Sequence, residues 1–529
     1  MSDSDLSRRR FLRHSGAALS LGALHCALPA VAAPALLTAE SARPKLPYGI
    51  QFGDVEPGVT TVWARADRVA RMWVEIGDED GFRRARRLCG PLATEASDFT
   101  ARLDVSLPPG SSARRLVRVG FEDAHSGIFS DWTQGLLRPA PAASTRLRPV
   151  RFVWGGDVAG QGWGINPEFG GMRIFEAMRQ RDPDFFLHSG DTIYADGPIA
   201  EEVTAEGGRI WRNLVAEGVH KVAESLDEFR GRYRYNLRDE NVRRFAAQVP
   251  QLWQWDDHET VNNWSPSKDL NADPRYTVKD IDVLVRRSRQ AFLEYSPQRR
   301  SRDPQSTRID RVVHYGPLLD VFLLDMRSYR GPNTDNLQPV SGSETAFLGG
   351  RQLRELAEGL RRSRAVWKIV AADMPLGLHV PDGVDAQGKP RWEAVANGEN
   401  GLPRGRELEF AKLLHDIRHV DNVVWLTADV HYCAAHYYDP NHAAFQDFSP
   451  FWEFVAGPLN AGAFGPNALD GTFGPQLVFQ KAPPAPNASP LAGYQFFGEV
   501  NIDPDTRALR VNLRDIGGES VFERILQAA

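Results

Sequence analysis

Two rhythms of apolar residues divide this chain of 529 residues. From about Pro47 to Arg138, short runs alternate apolar and polar positions: Thr60–Ala64, Met72–Ile76, Phe99–Leu103 and Leu116–Val119, parted by turn residues such as Pro108-Pro109-Gly110. Strands of that length and spacing predict a small all-β sandwich of the fibronectin or immunoglobulin type over residues 45–138. Residues 139–149 open with Pro139-Ala140-Pro141-Ala142-Ala143 and read as a linker. Over residues 150–529 the rhythm changes to short, solidly apolar runs alternating with charged stretches such as Ser225–Arg243 and Gly350–Ser363. That alternation predicts an α/β domain whose strands are covered on both faces. Within it, Ala200–Val249 reads as a mostly helical insertion. The Gly-, Pro- and Phe-rich tail beyond Phe451 closes with strands near Phe496 and Leu509, and no internal repeat is visible.

Composition narrows the classes. A net charge of −5 without a long basic run gives nothing that could follow a phosphate backbone, so no specific nucleic-acid binding is expected. The first residues differ from the rest: Ser7-Arg8-Arg9-Arg10-Phe11-Leu12-Arg13 leads into an uncharged Ala/Leu/Gly stretch ending in Ala30-Val31-Ala32. Residues 1–32 therefore read as a cleaved signal that resembles the twin-arginine type, which predicts the twin-arginine export machinery as a partner and a periplasmic or secreted location. Past it no apolar run has membrane-spanning length, so the mature protein is expected to be soluble, without stable membrane insertion. Cys89 and Cys433 remain, too few for a disulfide framework.

The candidate chemistry lies where the apolar runs end. Phe152–Gly156 runs into Asp157, Phe185–Gly190 into Asp191, and Leu252–Trp255 into Asp256-Asp257-His258. Val321–Leu324 runs into Asp325, Ile369–Ala372 into Asp373, and Val423–Ala428 into Asp429 with His431. In open α/β sheets ligands bind beyond the carboxyl ends of the strands, where these side chains would gather. So many carboxylates in one cleft raise one another's pKa unless cations neutralise them, and a pair of metal ions sharing a carboxylate does so. Any one of these aspartates alone could instead cap a helix or open a turn. The set, with His258 and His431, points to metal.

Gly190-Asp191-Thr192-Ile193-Tyr194, Asp257-His258-Glu259 and Asp429-Val430-His431 resemble the binuclear metallophosphoesterases. The longer strings from His188, Trp255, Leu323 and Phe454 resemble the alkaline phosphatase D (PhoD-like) branch over nearly the whole mature chain. The resemblance implies a metallophosphoesterase-type β-sandwich core flanked by helices, preceded by the small all-β domain. It implies that Asp191 bridges two metals, that Asp157, Tyr194 and His431 hold the first, and that Asp257, Asp373 and Asp429 hold the second. Phenolate and carboxylates favour Fe3+ in the first place, and an all-oxygen set favours Ca2+ in the second, with Mg2+ or Mn2+ as alternatives. Some members of that branch carry a cysteine at the Asp157 position, which this chain lacks.

The expected activity is hydrolysis of small phosphate esters, monoesters and also diesters, by a metal-bound hydroxide. His258 would protonate the leaving group or sit behind the ligands, and Arg327 with Arg330 would either grip phosphate or form an ion-pair network. His188, His379, His436 and Cys433 are expected to stay out of the ligand set. The alternative from another class is a non-enzymatic exported protein using the aspartates for structural calcium, with the sandwich as an adhesive module. Its weakness is that such sites have little use for imidazole or phenol.

Overall fold

The computed structural model describes residues 40–107, 113–142, 147–301, 303 and 306–529. The signal expected over residues 1–32 and part of the linker lie outside the described residues. Seven strands come first: β1 (Ile50–Glu56), β2 (Val59–Arg65), β3 (Ala70–Asp78), β4 (Gly81–Ala93), β5 (Thr100–Ser106), β6 (Arg115–Asp123) and β7 (Thr133–Leu137). Then follow β8 (Val150–Gly155), α1 (Arg173–Gln180), β9 (Phe185–Ser189), a hairpin of β10 (Glu202–Thr204) and β11 (Ile210–Arg212), α2 (Leu226–Asn236), α3 (Glu240–Ala246) and β12 (Gln251–Gln254). The middle comprises α4 (Ile281–Tyr295), β13 (Arg311–His314), β14 (Leu319–Leu323), α5 (Gly349–Arg362), β15 (Trp367–Ala371), a second hairpin of β16 (Pro381–Val384) and β17 (Pro390–Trp392), and α6 (Glu407–Ile417). The chain closes with β18 (Val423–Thr427), β19 (Cys433–Tyr438), β20 (Phe451–Val455), β21 (Pro475–Lys481), β22 (Phe496–Ile502), β23 (Leu509–Asp515) and β24 (Ser520–Leu526).

Two sheets dominate the described residues, a nine-stranded one ordered β24-β23-β22-β8-β9-β12-β1-β2-β5 and a seven-stranded one ordered β13-β14-β15-β18-β20-β19-β21. Period-two alternation decides which side chain goes where. Phe152 and Trp154, Leu187, Val321 and Leu323, Ile369 and Ala371, and Val424 and Leu426 point between the sheets and form one core. Their neighbours point outward under helices: Phe322, Val370 and Trp425 under α5 and α6, and Val153 and Phe186 under α1. Both faces of these central strands are therefore buried, which is why they are apolar without a break. The architecture is the expected sandwich core with flanking helices.

The N-terminal strands are tied in more closely than a linker composition suggests. The sheet β4-β3-β6-β7 packs on β1, β2 and β5 through Met72, Val74, Val117 and Phe121 against Ile50, Phe52, Val62 and Val105. β1 also pairs in parallel with β12 at Gly53 and Gln251, so one face of the all-β unit continues the nine-stranded sheet. A Cβ at Gly53 would stand 2.6 Å from the Pro297 carbonyl oxygen and 2.7 Å from that of Gln251, so only glycine allows the approach. The insertion over Ala200–Val249 is helical from Leu226 onward, but its first part is the β10–β11 hairpin. Among the described residues no helix is long and apolar enough to cross a membrane, and Cys89 and Cys433 are free thiols.

Candidate active site

β8, β9 and β12 run parallel in one sheet, and β14, β15 and β18 run parallel in the other. Their carboxyl ends lie at one edge of the sandwich, stitched together by the Gln254 amide, which donates to the Leu324 and Ala371 carbonyls at 3.0 and 2.8 Å. Just past these ends stand Asp157, Asp191, Asp257, Asp373 and Asp429. Asp157, Asp191, Asp429 and His431 all have left-handed backbone, with φ of 63°, 47°, 67° and 62°. Such a conformation costs a non-glycine residue about 1–2 kcal/mol and is typical of functional turns. Here it turns the chain sharply where each strand meets the edge.

One half of the edge brings together Asp157, Asp191 and His431, whose ligating atoms lie within 4.8 Å of one another. Tyr194 belongs with them, since its hydroxyl donates to His431 Nε2 at 2.9 Å. His431 Nδ1 donates to the Gly462 carbonyl, so Nε2 carries the lone pair, which accepts from Tyr194 and could bind a metal in that proton's place. Both carboxylate oxygens of Asp157 are buried without a hydrogen-bond partner. They sit in a cradle that a Cβ on Gly457 would fill, 2.2 Å from Asp157 Oδ2. Burial, more than any neighbour, drives the Asp157 and Asp191 carboxyls well above the usual range, and nearby aspartates push them further. Burial lowers His431 to about 4, so its ring is neutral. Orphaned carboxylate oxygens beside a neutral imidazole and a phenol fit a bound cation.

The other half holds two overlapping groups, Asp191 with Asp257 and His258, and Asp256 with Asp257 and Asp429. Asp257 Oδ1 and Asp256 Oδ2 are buried and unpartnered, so a cation fits here too. Asp373 stands behind: its Oδ1 accepts from the Met374 amide at 2.9 Å, and its carboxylate meets Asp256. Asp256 Oδ1 also receives Arg327 Nε at 2.6 Å. His258 lies between the halves. Its backbone N–H donates to Asp191 Oδ1 at 3.1 Å, its Nδ1 donates to Asp196 at 2.7 Å, and its ring centre lies 4.3 Å from that of Tyr194. Burial opposes a charged ring, but the Asp196 and Asp257 carboxylates outweigh it and raise His258 to about 10. A cavity of about 530 Å³ opens over the edge, lined by Asp191, Asp257, His258, Asp429 and His431 and walled by Val380, Pro381 and Phe464.

The PhoD-like phosphatase pattern matches residues 152–513. The chain belongs to the PhoD-like phosphatase family. The N-terminal domain of PhoD-like phosphatases matches residues 30–114. Alkaline phosphatase D of Bacillus subtilis (strain 168) is 28% identical over 276 residues, 50% of this chain and 44% of the relative, so the match spans less than half of that protein's length. A solved structure of PhoD superposes with a TM-score of 0.68 at 19% identity, over 92% of this chain and 90% of the other, a likeness of fold.

In this PhoD-like chain the remaining candidates stand apart from the cavity. Arg327 and Arg330 are fully buried; Arg327 is held by Asp256 and Glu393, and Arg330 reaches the Glu393 carbonyl and stacks on Phe347. His188 points to the opposite side of β9, against Phe186 and Trp253. His379 pairs with Asp470 and His436 with Glu453. Cys433 lies in the core between the sheets. Four residues not singled out by sequence reasoning frame the site. Glu259 accepts from the amides of Asp191, Thr192 and Asp256 at 3.2, 2.7 and 2.7 Å and so fixes two strand ends at once. Asp196 orients His258, Glu393 lines the cavity, and Gln161 Oε1 accepts from Gly462 N–H at 3.3 Å while its side chain also hydrogen-bonds Tyr194. Only Glu259 carried a sequence signal, as the residue that follows Asp257-His258.

Proposed function

We propose that this protein is a metal-dependent phosphoesterase hydrolysing small phosphate esters, monoesters and diesters alike. The observation that carries the reading is the gathering of Asp191, Asp257, His258, Asp429 and His431 along one cavity, with Asp157 and Tyr194 grouped behind them on Asp191 and His431. Asp191 belongs to both ligand groups and would be shared between them; Asp157, Tyr194 and His431 would hold one cation, and Asp257 and Asp429, helped by Asp256 with Asp373 behind, would hold the other. A pair of cations held there supplies positive charge that activates water and neutralises the oxygens of the phosphoryl group in the transition state. A phenolate and carboxylates in the first set favour Fe3+, and the all-oxygen second set favours Ca2+, with Mg2+ or Mn2+ as alternatives.

The chain's own groups do the rest. His258, locked through Nδ1 by Asp196, presents Nε2 as the group that protonates the departing alkoxide. The wall of Val380, Pro381 and Phe464 keeps the reacting phosphoryl group out of bulk water. The family resemblance and the N-terminal string together support export by the twin-arginine route to the periplasm or beyond. The test is hydrolysis of p-nitrophenyl phosphate and bis(p-nitrophenyl) phosphate before and after chelation. Activity that vanishes with chelator and returns with added metal is expected. Inactivity of a folded sample carrying two metals would instead support the non-enzymatic calcium-binding reading.

A further inference from the structure

We propose that Arg327 is a built-in counter-charge of the second cation site, lowering the affinity of that half for its divalent cation. The proposal rests on the two-cation reading above. Arg327 comes from the loop after β14, and its side chain is fully buried. Its Nε lies 2.6 Å from Asp256 Oδ1 and 3.3 Å from Asp373 Oδ2, its Nη1 is on Glu393, and its Nη2 is 3.7 Å from Asp429 Oδ1. The guanidinium thus stands where the carboxylates of this half converge. It does not line the cavity in which a phosphoryl group would sit. More positive charge backs it: Arg330 Nη1 is 3.9 Å from Glu393 Oε1, and Arg406 is buried on the carbonyls of Trp392, Glu393 and Ala394.

Guanidinium stays protonated under all working conditions. A cation held by Asp256, Asp257 and Asp429 shares Asp256 and Asp429 with it, a few ångströms away and shielded from water. Like charges at that range repel strongly when little solvent lies between them. The same guanidinium keeps Asp256 and Glu393 from facing each other uncompensated before any metal arrives. Arg327 therefore keeps the half-site folded without metal, and weakens its grip on metal.

The experiment uses the full chain, stripped by chelator, given one equivalent of Fe3+ for the first site and then titrated with Ca2+ or Mn2+ by calorimetry, with bound metal counted by elemental analysis. Wild-type protein is expected to take up two cations, one of them weakly. Arg327→Met should bind the weaker one roughly tenfold tighter or more, and Arg327→Lys, which keeps the charge, should match wild type. If Arg327→Met does not fold, Arg327→Gln, which can still donate to Asp256, carries the same expectation. Neutral variants that bind the second cation no tighter than wild type overturn the proposal, as does a lysine variant that tightens binding like the neutral ones. A wild-type protein that takes up only one cation refutes the two-cation reading itself, and this proposal with it.

Discussion

In the half of the site built by Asp157, Asp191, Tyr194 and His431, both carboxylate oxygens of Asp157 are left without a protein partner, and among the described residues no arginine or lysine enters the group. In the half built by Asp256, Asp257, Asp373 and Asp429, the carboxylates are already met by Arg327. The first half gathers its donors and supplies no fixed cation of its own. The second brings an internal cation and satisfies much of its charge before any metal is present. Burial holds the unpartnered Asp157 carboxyl well above its usual pKa, so the first half is a cradle whose charge is compensated only when a cation fills it. The second carries its own counter-charge, although Asp256 Oδ2, Asp257 Oδ1 and Asp373 Oδ2 are left without hydrogen-bond partners there too. Tight and loose binding can therefore be built side by side from nearly the same residue types, according to whether a buried arginine is placed among them.

Asp191 belongs to both halves, so Asp191→Ala offers the largest test. Loss of both cations and of nearly all activity is expected, and a variant that keeps full metal content by elemental analysis would remove the bridge from the scheme. Asp157→Asn separates the halves. It leaves the shape but removes the charge from the unpartnered carboxylate, so the first cation should be lost while the second stays, with turnover falling roughly a thousandfold. Equal loss of both metals would show that the halves do not bind independently. His258→Ala should keep both cations and slow turnover by roughly a hundredfold or more. Steady-state kinetics with metal counts check this, and unchanged turnover would leave the histidine a purely structural part between the halves.

The two halves are legible in the sequence, and the contrast between them is not. The apolar runs and the aspartates that end them mark both halves, because strands buried on two faces leave little room for charge except where they emerge at the edge. The fusion of β1 to β12 was not legible, since alternation looks the same in a free sandwich and in an extension of a larger sheet. The β10–β11 hairpin is not legible either, because strands of three residues carry no period. From sequence Arg327 reads equally as a phosphate arm or an ion-pair partner, and nothing local decides between those. Asp256 lies 71 residues from Arg327, and Asp196 lies 62 residues from His258. Such pairings arise from the packing of two sheets, and no short string encodes them.

The smallest expected effect asks how firmly the residue between the halves is held. Asp196 takes the Nδ1 proton of His258 through Oδ1 and the Asn262 amide through Oδ2. In Asp196→Asn the amide oxygen can serve one of these donors, but the NH2 group then opposes the other. Asn262 N–H is a fixed backbone donor, whereas the imidazole can rotate, so the ring of His258 should give way. The carboxylate that holds the ring in one orientation is also lost. Neither half loses a ligand, and metal content should not change. Turnover should drop by roughly tenfold, within the 10–100-fold range usual for groups that orient a working histidine, and by less than in His258→Ala. Asp196→Ala, which can orient nothing, should fall further toward the His258→Ala value. If both Asp196 variants turn over like wild type, the orientation of His258 is set by its stacking on Tyr194 and by the Asp191 contact to its backbone amide, and the two halves, not Asp196, place the histidine between them.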